Sequence, residues 1–244
     1  MHCVLSELES SKRTKKNIKA ILLDIDGTLL DINLNEYAKD YVKSLALKVA
    51  DKIPPSKFIP RLLKVGTLMV NNDGKMTNEQ IFNKHFFPIM GYAQTDLEPI
   101  FLDFHRNDFP KLQKHAKKKP EARTLVQKAI EKGFRVVIAT TPLLPMIATI
   151  ERLKWAGISA FPYDFIATYE TMKSTKPNLL YYKQILETIN CNAKNCMMVG
   201  DEDKDMVAKR LGLTTFLVSN SNNKCQTTLS PDYKGTLYDL IEML

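Results

Sequence analysis

Four short stretches of the 244-residue chain carry side chains whose types and spacing suit chemistry. In Asp24-Ile25-Asp26-Gly27-Thr28-Leu29, two carboxylates stand two residues apart at the end of an apolar run, and Gly27 lets the chain turn sharply away. Paired carboxylates suit hard-oxygen metal ligation, or a nucleophile beside a general acid. Asp and Gly are also ordinary turn residues. In Gly200-Asp201-Glu202-Asp203-Lys204-Asp205, four acidic residues fall within five positions. Such crowding after a buried strand is costly unless a cation neutralises it. Asp201 and Asp205, four apart, lie on one side of a turn and form the candidate metal pair; Glu202 and Asp203 also suit a helix first turn. Thr140-Thr141-Pro142 sets hydroxyls where a helix begins, which suits phosphate as well as ordinary N-capping. Lys176-Pro177 sets a cation just before a helix start, where it could face a phosphate.

Each stretch follows an element able to hold it in place. Residues 18–23, 134–139, 196–199 and 215–218 are continuous apolar runs, the pattern of strands buried on both faces of a parallel sheet; 164–167 is a weaker candidate. Helical patterns alternate with them. Residues 120–132 end at Gly133, 143–156 at Gly157 and 203–211 at Gly212, each glycine suiting a helix C-terminus. Residues 177–189 begin with Pro177 at the first helical position, and 236–244 close the chain. Strand and helix in alternation predict a doubly wound, mostly parallel Rossmann-like α/β sheet, with every candidate residue at a strand's carboxyl end, where such sheets bind ligands.

One segment breaks the alternation. Residues 31–118 show helices and no convincing strand: Tyr37, Tyr41, Leu45 and Val49 recur every four residues, and Thr77–Gln80 and Thr95–Glu98 match capping boxes. The expected division is a basic leader over 1–17, an α/β core over 18–30 and 119–244, and a smaller all-helical domain over 31–118. Within that helical part, His85, His105 and Arg106 could reach an anion, and Phe82, Phe86, Phe87, Phe101 and Phe104 read as its core.

Composition excludes several classes. Hydrophobic residues at 44% and charged residues at 25% are those of a globular protein. No apolar window is long enough to predict a membrane span. Residues 1–19 are basic and polar, so no secretory signal is expected. Cys3, Cys191, Cys196 and Cys225 form no CxxC pair and read as free thiols in a reducing, cytoplasmic setting. The net charge of +8 suits an anionic partner without choosing among nucleic acid, membrane and small anion. With no nucleic-acid motif present and the lysines scattered, neither nucleic acid nor membrane is expected.

Taken together and in this order, the four stretches resemble the motifs of the haloacid dehalogenase superfamily of phosphotransferases: Asp24-x-Asp26-Gly27-Thr28, an apolar strand ending in Thr140, Lys176 before a helix, and Gly200-Asp201-x-x-x-Asp205. The helical segment resembles the cap that many members carry after the first motif. Thr141 stands where the family often has Asn. The resemblance implies a Mg²⁺-dependent phosphatase acting on a small phosphorylated metabolite. Asp24 would be the nucleophile that becomes an aspartyl-phosphate, and Asp26 the acid and then the base. Thr140, with Thr141 beside it, and Lys176 would hold the phosphoryl group. The Asp24 carboxylate, the Asp26 backbone carbonyl, Asp201 and Asp205 would bind the metal. A phosphomutase uses the same motifs, and a non-catalytic binding or regulatory relative is a third reading. An Asp at position 26 favours a phosphoester over a halide, which needs no acid to leave.

Overall fold

The computed structural model describes residues 17–219 and 227–244. The leader expected over 1–17 lies outside them except for Asn17, as do Cys3 and Cys225.

Six strands form one parallel sheet: β1 (Ala20–Leu23), β4 (Arg135–Ile138), β5 (Phe165–Ile166), β6 (Cys196–Gly200), β7 (Thr214–Val218) and β8 (Tyr233–Gly235), in the order β5-β4-β1-β6-β7-β8. The continuous apolar runs are explained by burial on both faces. Ile21, Leu23, Val136, Ile138, Met197 and Val199 pack into one hydrophobic cluster. Their alternating neighbours Ala20, Leu22, Val137, Ala139, Cys196 and Met198 pack into a second. Helices α5 (Pro120–Glu131), α6 (Met146–Ala156) and α9 (Leu237–Met243) cover the first face, and α7 (Leu179–Thr188) covers the second. The chain runs from β1 out to β4 and β5 on one side, then returns to β6 on the other. The crevice beyond the carboxyl ends of β1, β4 and β6 is therefore the switch point of the sheet. Register sharpens this, because Leu23 pairs with both Ile138 and Val199, so the residues after all three strands emerge at one level.

Between β1 and β4 the chain forms α1 (Leu34–Lys48), α2 (Pro55–Val70), α3 (Asn78–Met90) and α4 (Gln94–Asp103), followed by a π turn over Phe104–Asp108 and a 3₁₀ segment over Phe109–His115. Phe58, Phe82, Phe86, Phe87 and Phe101 pack among themselves, with Phe82 stacked on Phe86 at 4.9 Å. Thr77 caps α3 in the expected box with Gln80. This insertion rests on the core through α3: the Asn78 side chain donates to the Pro142 carbonyl at 3.0 Å, and the Asn78 backbone N–H donates to Met172 at 2.8 Å.

Several expectations are corrected. The insertion is not all-helical at its root, since β2 (Leu30–Ile32) and β3 (Ala116–Lys118) pair antiparallel where the chain leaves and re-enters the core. Strands of three residues, with Lys117 and Lys118 exposed, leave no periodic signal to read. The box at Thr95 is not the start of α4: Asp96 accepts the Ala93 N–H at 2.9 Å, which moves the helix start two residues earlier. Pro177 does not open α7. It lies in a cis peptide with Lys176, and Asn178 caps the helix by accepting the Leu180 N–H at 2.9 Å. The pattern over 203–211 is a one-turn helix α8 (Asp203–Met206) followed by a 3₁₀ turn over Val207–Leu211.

Candidate active site

Asp24 follows β1 directly, is 4% exposed, and donates its backbone N–H to the Val199 carbonyl at 3.0 Å. The loop after it folds back tightly, with the Gly27 N–H donating to the Leu30 carbonyl at 2.8 Å. Gly27 has φ +84°, and a Cβ there would overlap the Asp201 carboxylate, so both backbone and space exclude a side chain. Thr28 is fully buried and donates its hydroxyl to Asp201 Oδ1 at 2.9 Å, which joins the loop after β1 to the loop after β6. Gly200 plays a matching part, since a Cβ there would overlap the Asp205 carboxylate.

Asp24, Asp201 and Asp205 are all buried, and each offers a carboxylate oxygen within 4.8 Å of the others. Lys176, brought in by the loop before α7, is 3% exposed. Its Nζ donates to Asp24 Oδ1 at 2.7 Å and to Asp205 Oδ1 at 2.6 Å. Burial opposes its charge, but Asp205 and Asp24 outweigh burial and hold its pKa well above the usual lysine value. One lysine does not balance three acids. Burial, with Asp24 nearby, pushes Asp201 up to about 7, and burial also raises Asp205. Hard oxygen donors in acidic excess at a buried cleft fit a small divalent cation, which prefers few carboxylates with the rest of its sphere left to water and phosphate.

Asp26, two residues on, takes a different partner. Its side chain is not one of the three clustered carboxylates; it forms an ion pair with Arg152 from the middle of α6. The Arg152 side chain is 3% exposed, and its Nη1 also lies 3.5 Å from the Thr140 hydroxyl. Burial raises the Asp26 pKa above the ordinary carboxylate value, and Arg152 opposes that rise. Thr140 is 1% exposed, and its carbonyl accepts the Tyr181 hydroxyl at 2.8 Å. Thr141 is half-buried and faces a cavity between the core and the insertion.

The structure thus brings Asp24, Asp201, Asp205 and Lys176 into direct contact range, and places Asp26 and Thr140 around Arg152. Two participants escaped the sequence reading. Arg152 gave only the signal of one charge within an otherwise apolar helix face. Lys119, the first residue of the returning core segment, donates to the Gly27 and Thr28 carbonyls at 2.6 and 3.0 Å and so tethers the loop after β1. Of the insertion candidates, His105 is buried: its Nδ1–H donates to the Phe101 carbonyl at 2.8 Å, and its ring packs edge-on against Phe104.

The family model for haloacid dehalogenase-like hydrolases matches residues 18–210. This chain belongs to that family. Among curated relatives of this hydrolase, pyrophosphatase PpaX of Bacillus velezensis is 25% identical over 225 residues, covering 90% of this chain and 93% of the relative. A phosphoglycolate phosphatase of Neisseria meningitidis is 21% identical over 203 residues, covering 80% and 77%. Among solved structures, a HAD phosphatase from Thermococcus onnurineus superposes with a TM-score of 0.59 at 18% identity, covering 93% of this chain and 97% of that one. A 2-haloacid dehalogenase from Pseudomonas syringae pv. Tomato superposes with a TM-score of 0.63 at 18% identity, covering 92% and 97%. The hydrolase therefore shares its fold with phosphatases and dehalogenases alike, and its own side chains must separate the two chemistries. Among the described residues, no helix is long and apolar enough to cross a membrane, and Cys191 and Cys196 are free thiols.

Proposed function

We propose that this hydrolase is a cytoplasmic, Mg²⁺-dependent phosphatase that cleaves a phosphomonoester through an aspartyl-phosphate on Asp24. The observation that carries this reading is the division of labour between the two carboxylates of the first loop. Asp24 sits against Lys176 with its acidic partners Asp201 and Asp205. Asp26 is set apart beside Arg152 with a raised pKa, the environment of a proton carrier. A halide leaving group needs no such carrier, which favours phosphoester over haloacid chemistry.

In this reading Lys176 offsets the repulsion between the Asp24 carboxylate and the incoming phosphoryl oxygens. The Thr140 hydroxyl donates to one of those oxygens, and Thr141 lines the way in. Asp26 protonates the leaving alcohol oxygen, then withdraws a proton from the water that opens the aspartyl-phosphate. Arg152 keeps the Asp26 carboxylate in place through both steps. Asp24, Asp201, Asp205 and the Asp26 backbone carbonyl would hold Mg²⁺, which when bound supplies further positive charge for the transferring phosphoryl group. Residues 31–118 act as the cap that contacts the rest of the substrate.

Phosphate release from a panel of phosphorylated compounds, with and without Mg²⁺, tests the reading. The wild-type chain should release phosphate only with Mg²⁺, and Asp24→Asn should lower turnover by at least about 10³-fold. Substantial turnover by Asp24→Asn would overturn the proposed nucleophile.

A further inference from the structure

A large cavity lies beside the candidate site rather than in it. This cavity of about 1010 Å³ is walled by α1, α2, α3, α4 and the π turn of the insertion, and by the core residues Asp26, Thr141 and Arg152. It reaches Asp26, the group that would face a leaving oxygen, while Asp24, Lys176, Asp201 and Asp205 are not in its wall. A phosphoryl group held on Asp24 would therefore leave this cavity to the rest of the substrate. Its walls are largely apolar, with Tyr41, Leu63, Met69, Phe82, Phe101 and Leu144 among them. The aromatic walls are held by neighbours: Phe82 stacks on Phe86, and Tyr41 packs edge-on against Phe104 at 5.8 Å and Phe109 at 6.0 Å.

The charges in the wall narrow the occupant further. Asp26 and Arg152 offset each other's charge as an ion pair. That leaves Glu79, Glu98 and Glu170 against Arg106, an acidic balance. Burial, together with Glu170 and Glu98, holds the Glu79 carboxyl above its ordinary range. A second phosphate or a carboxylate on the substrate body would meet repulsion there, and a small polar body would leave apolar wall exposed to water. The volume is at the upper end of that found for pockets binding drug-sized ligands.

We propose that this cavity receives the leaving-group alcohol, and that the substrate is a phosphomonoester of a bulky, uncharged, mainly apolar alcohol. The assignment rests on the phosphatase reading for the word phosphomonoester, but the shape and lining of the cavity stand without it.

Two measurements on the full chain separate the two claims. In the first, turnover with Mg²⁺ is compared for ethyl, butyl, hexyl and octyl phosphate, 1-naphthyl phosphate, phosphoglycolate and pyrophosphate. In the second, calorimetry measures binding of the same alkyl phosphates to Asp24→Asn. Each buried methylene should raise kcat/KM, and affinity, by about threefold to fourfold. Octyl and naphthyl phosphate should outrun phosphoglycolate and pyrophosphate by at least about tenfold. Leu63→Asp, a change at a cavity residue that is 56% exposed, should flatten the chain-length gradient in both turnover and binding. A binding gradient without turnover by the wild type would sink the phosphatase reading and keep the cavity assignment. Flat binding, with phosphoglycolate or pyrophosphate the better substrate, would overturn the cavity assignment and keep the phosphatase. Flat binding with no turnover would overturn both, and a gradient that survives in Leu63→Asp would show that it does not come from this cavity.

Discussion

The carboxyl edge of the sheet and the helical insertion bury their side chains in opposite ways. At the sheet edge, Asp24, Asp201, Asp205, Lys176 and Arg152 are all buried charges, each joined to a group delivered by a different loop. In the insertion, among the described residues, the buried polar side chains are Asn72, Asn78 and His105, set in a bed of Phe, Leu and Met. A buried charge whose partner is removed keeps its desolvation cost and loses its compensation, whereas truncating an apolar side chain costs only its own packing. The sheet edge should therefore respond to substitution as a unit and to added cation, and the insertion should respond locally.

Asp26→Asn is the most severe test after the nucleophile. Removing the proposed proton carrier should lower kcat by about 10²- to 10⁴-fold in steady-state assays, with KM little changed. A variant with wild-type kcat would show that the two carboxylates do not divide the chemistry.

Lys176→Met probes the coupling directly. Asp24 and Asp205 would lose the lysine that donates to both, at a cost of about 3–5 kcal/mol in unfolding free energy. Added Mg²⁺ should recover part of that loss, because a cation among the carboxylates replaces the missing charge. Denaturant melts with and without Mg²⁺ check this; equal stability of variant and wild type would break the contrast between the two regions.

His105 tests the insertion. Burial lowers its pKa from the usual 6.5 to about 4, so the folded state holds it neutral where the unfolded chain is protonated. Its contribution is present in full above pH 6.5 and is lost as the pH falls towards 4, by at most about 3 kcal/mol. Replacing His105 with Gln should flatten the stability profile over that range in thermal melts, while leaving turnover at pH 7 and the Mg²⁺ response unchanged. An unaltered profile would show that the residue is not the titrating group.

A smaller loss of turnover than that of Asp26→Asn is expected at Arg152, which stands between the regions. In the proposed mechanism it is a positioning residue acting through Asp26. Arg152→Met should lower kcat by about tenfold and move the acid limb of the pH–rate profile upward, since Arg152 opposes the raised Asp26 pKa. Arg152→Lys should restore part of both. A kcat loss without a shifted limb would reduce the role of Arg152 to packing.

The sheet and its motif order were legible because their signals are local. A run such as Ala20–Leu23 buried on both faces, ending at an acid and a glycine, names strand, edge and turn within ten residues. The short strand β8 and the ribbon of β2 and β3 were not legible, because three residues carry no period and their pairing is settled by distant segments. The start of α7 was misplaced for a related reason: Pro177 suits a first turn, but Asn178 can cap the helix and does.

From sequence alone came the parallel sheet, the helical interruption and the four strand-end stretches, since periodicity and residue type act over a few positions. Tertiary structure decided what each carboxylate faces. Asp24 and Asp26 are nearly adjacent in the chain, yet one meets Lys176, 152 residues away, and the other Arg152, 126 residues away. No local pattern distinguishes those partners, because the register of β1 against β4 and β6 brings them within reach.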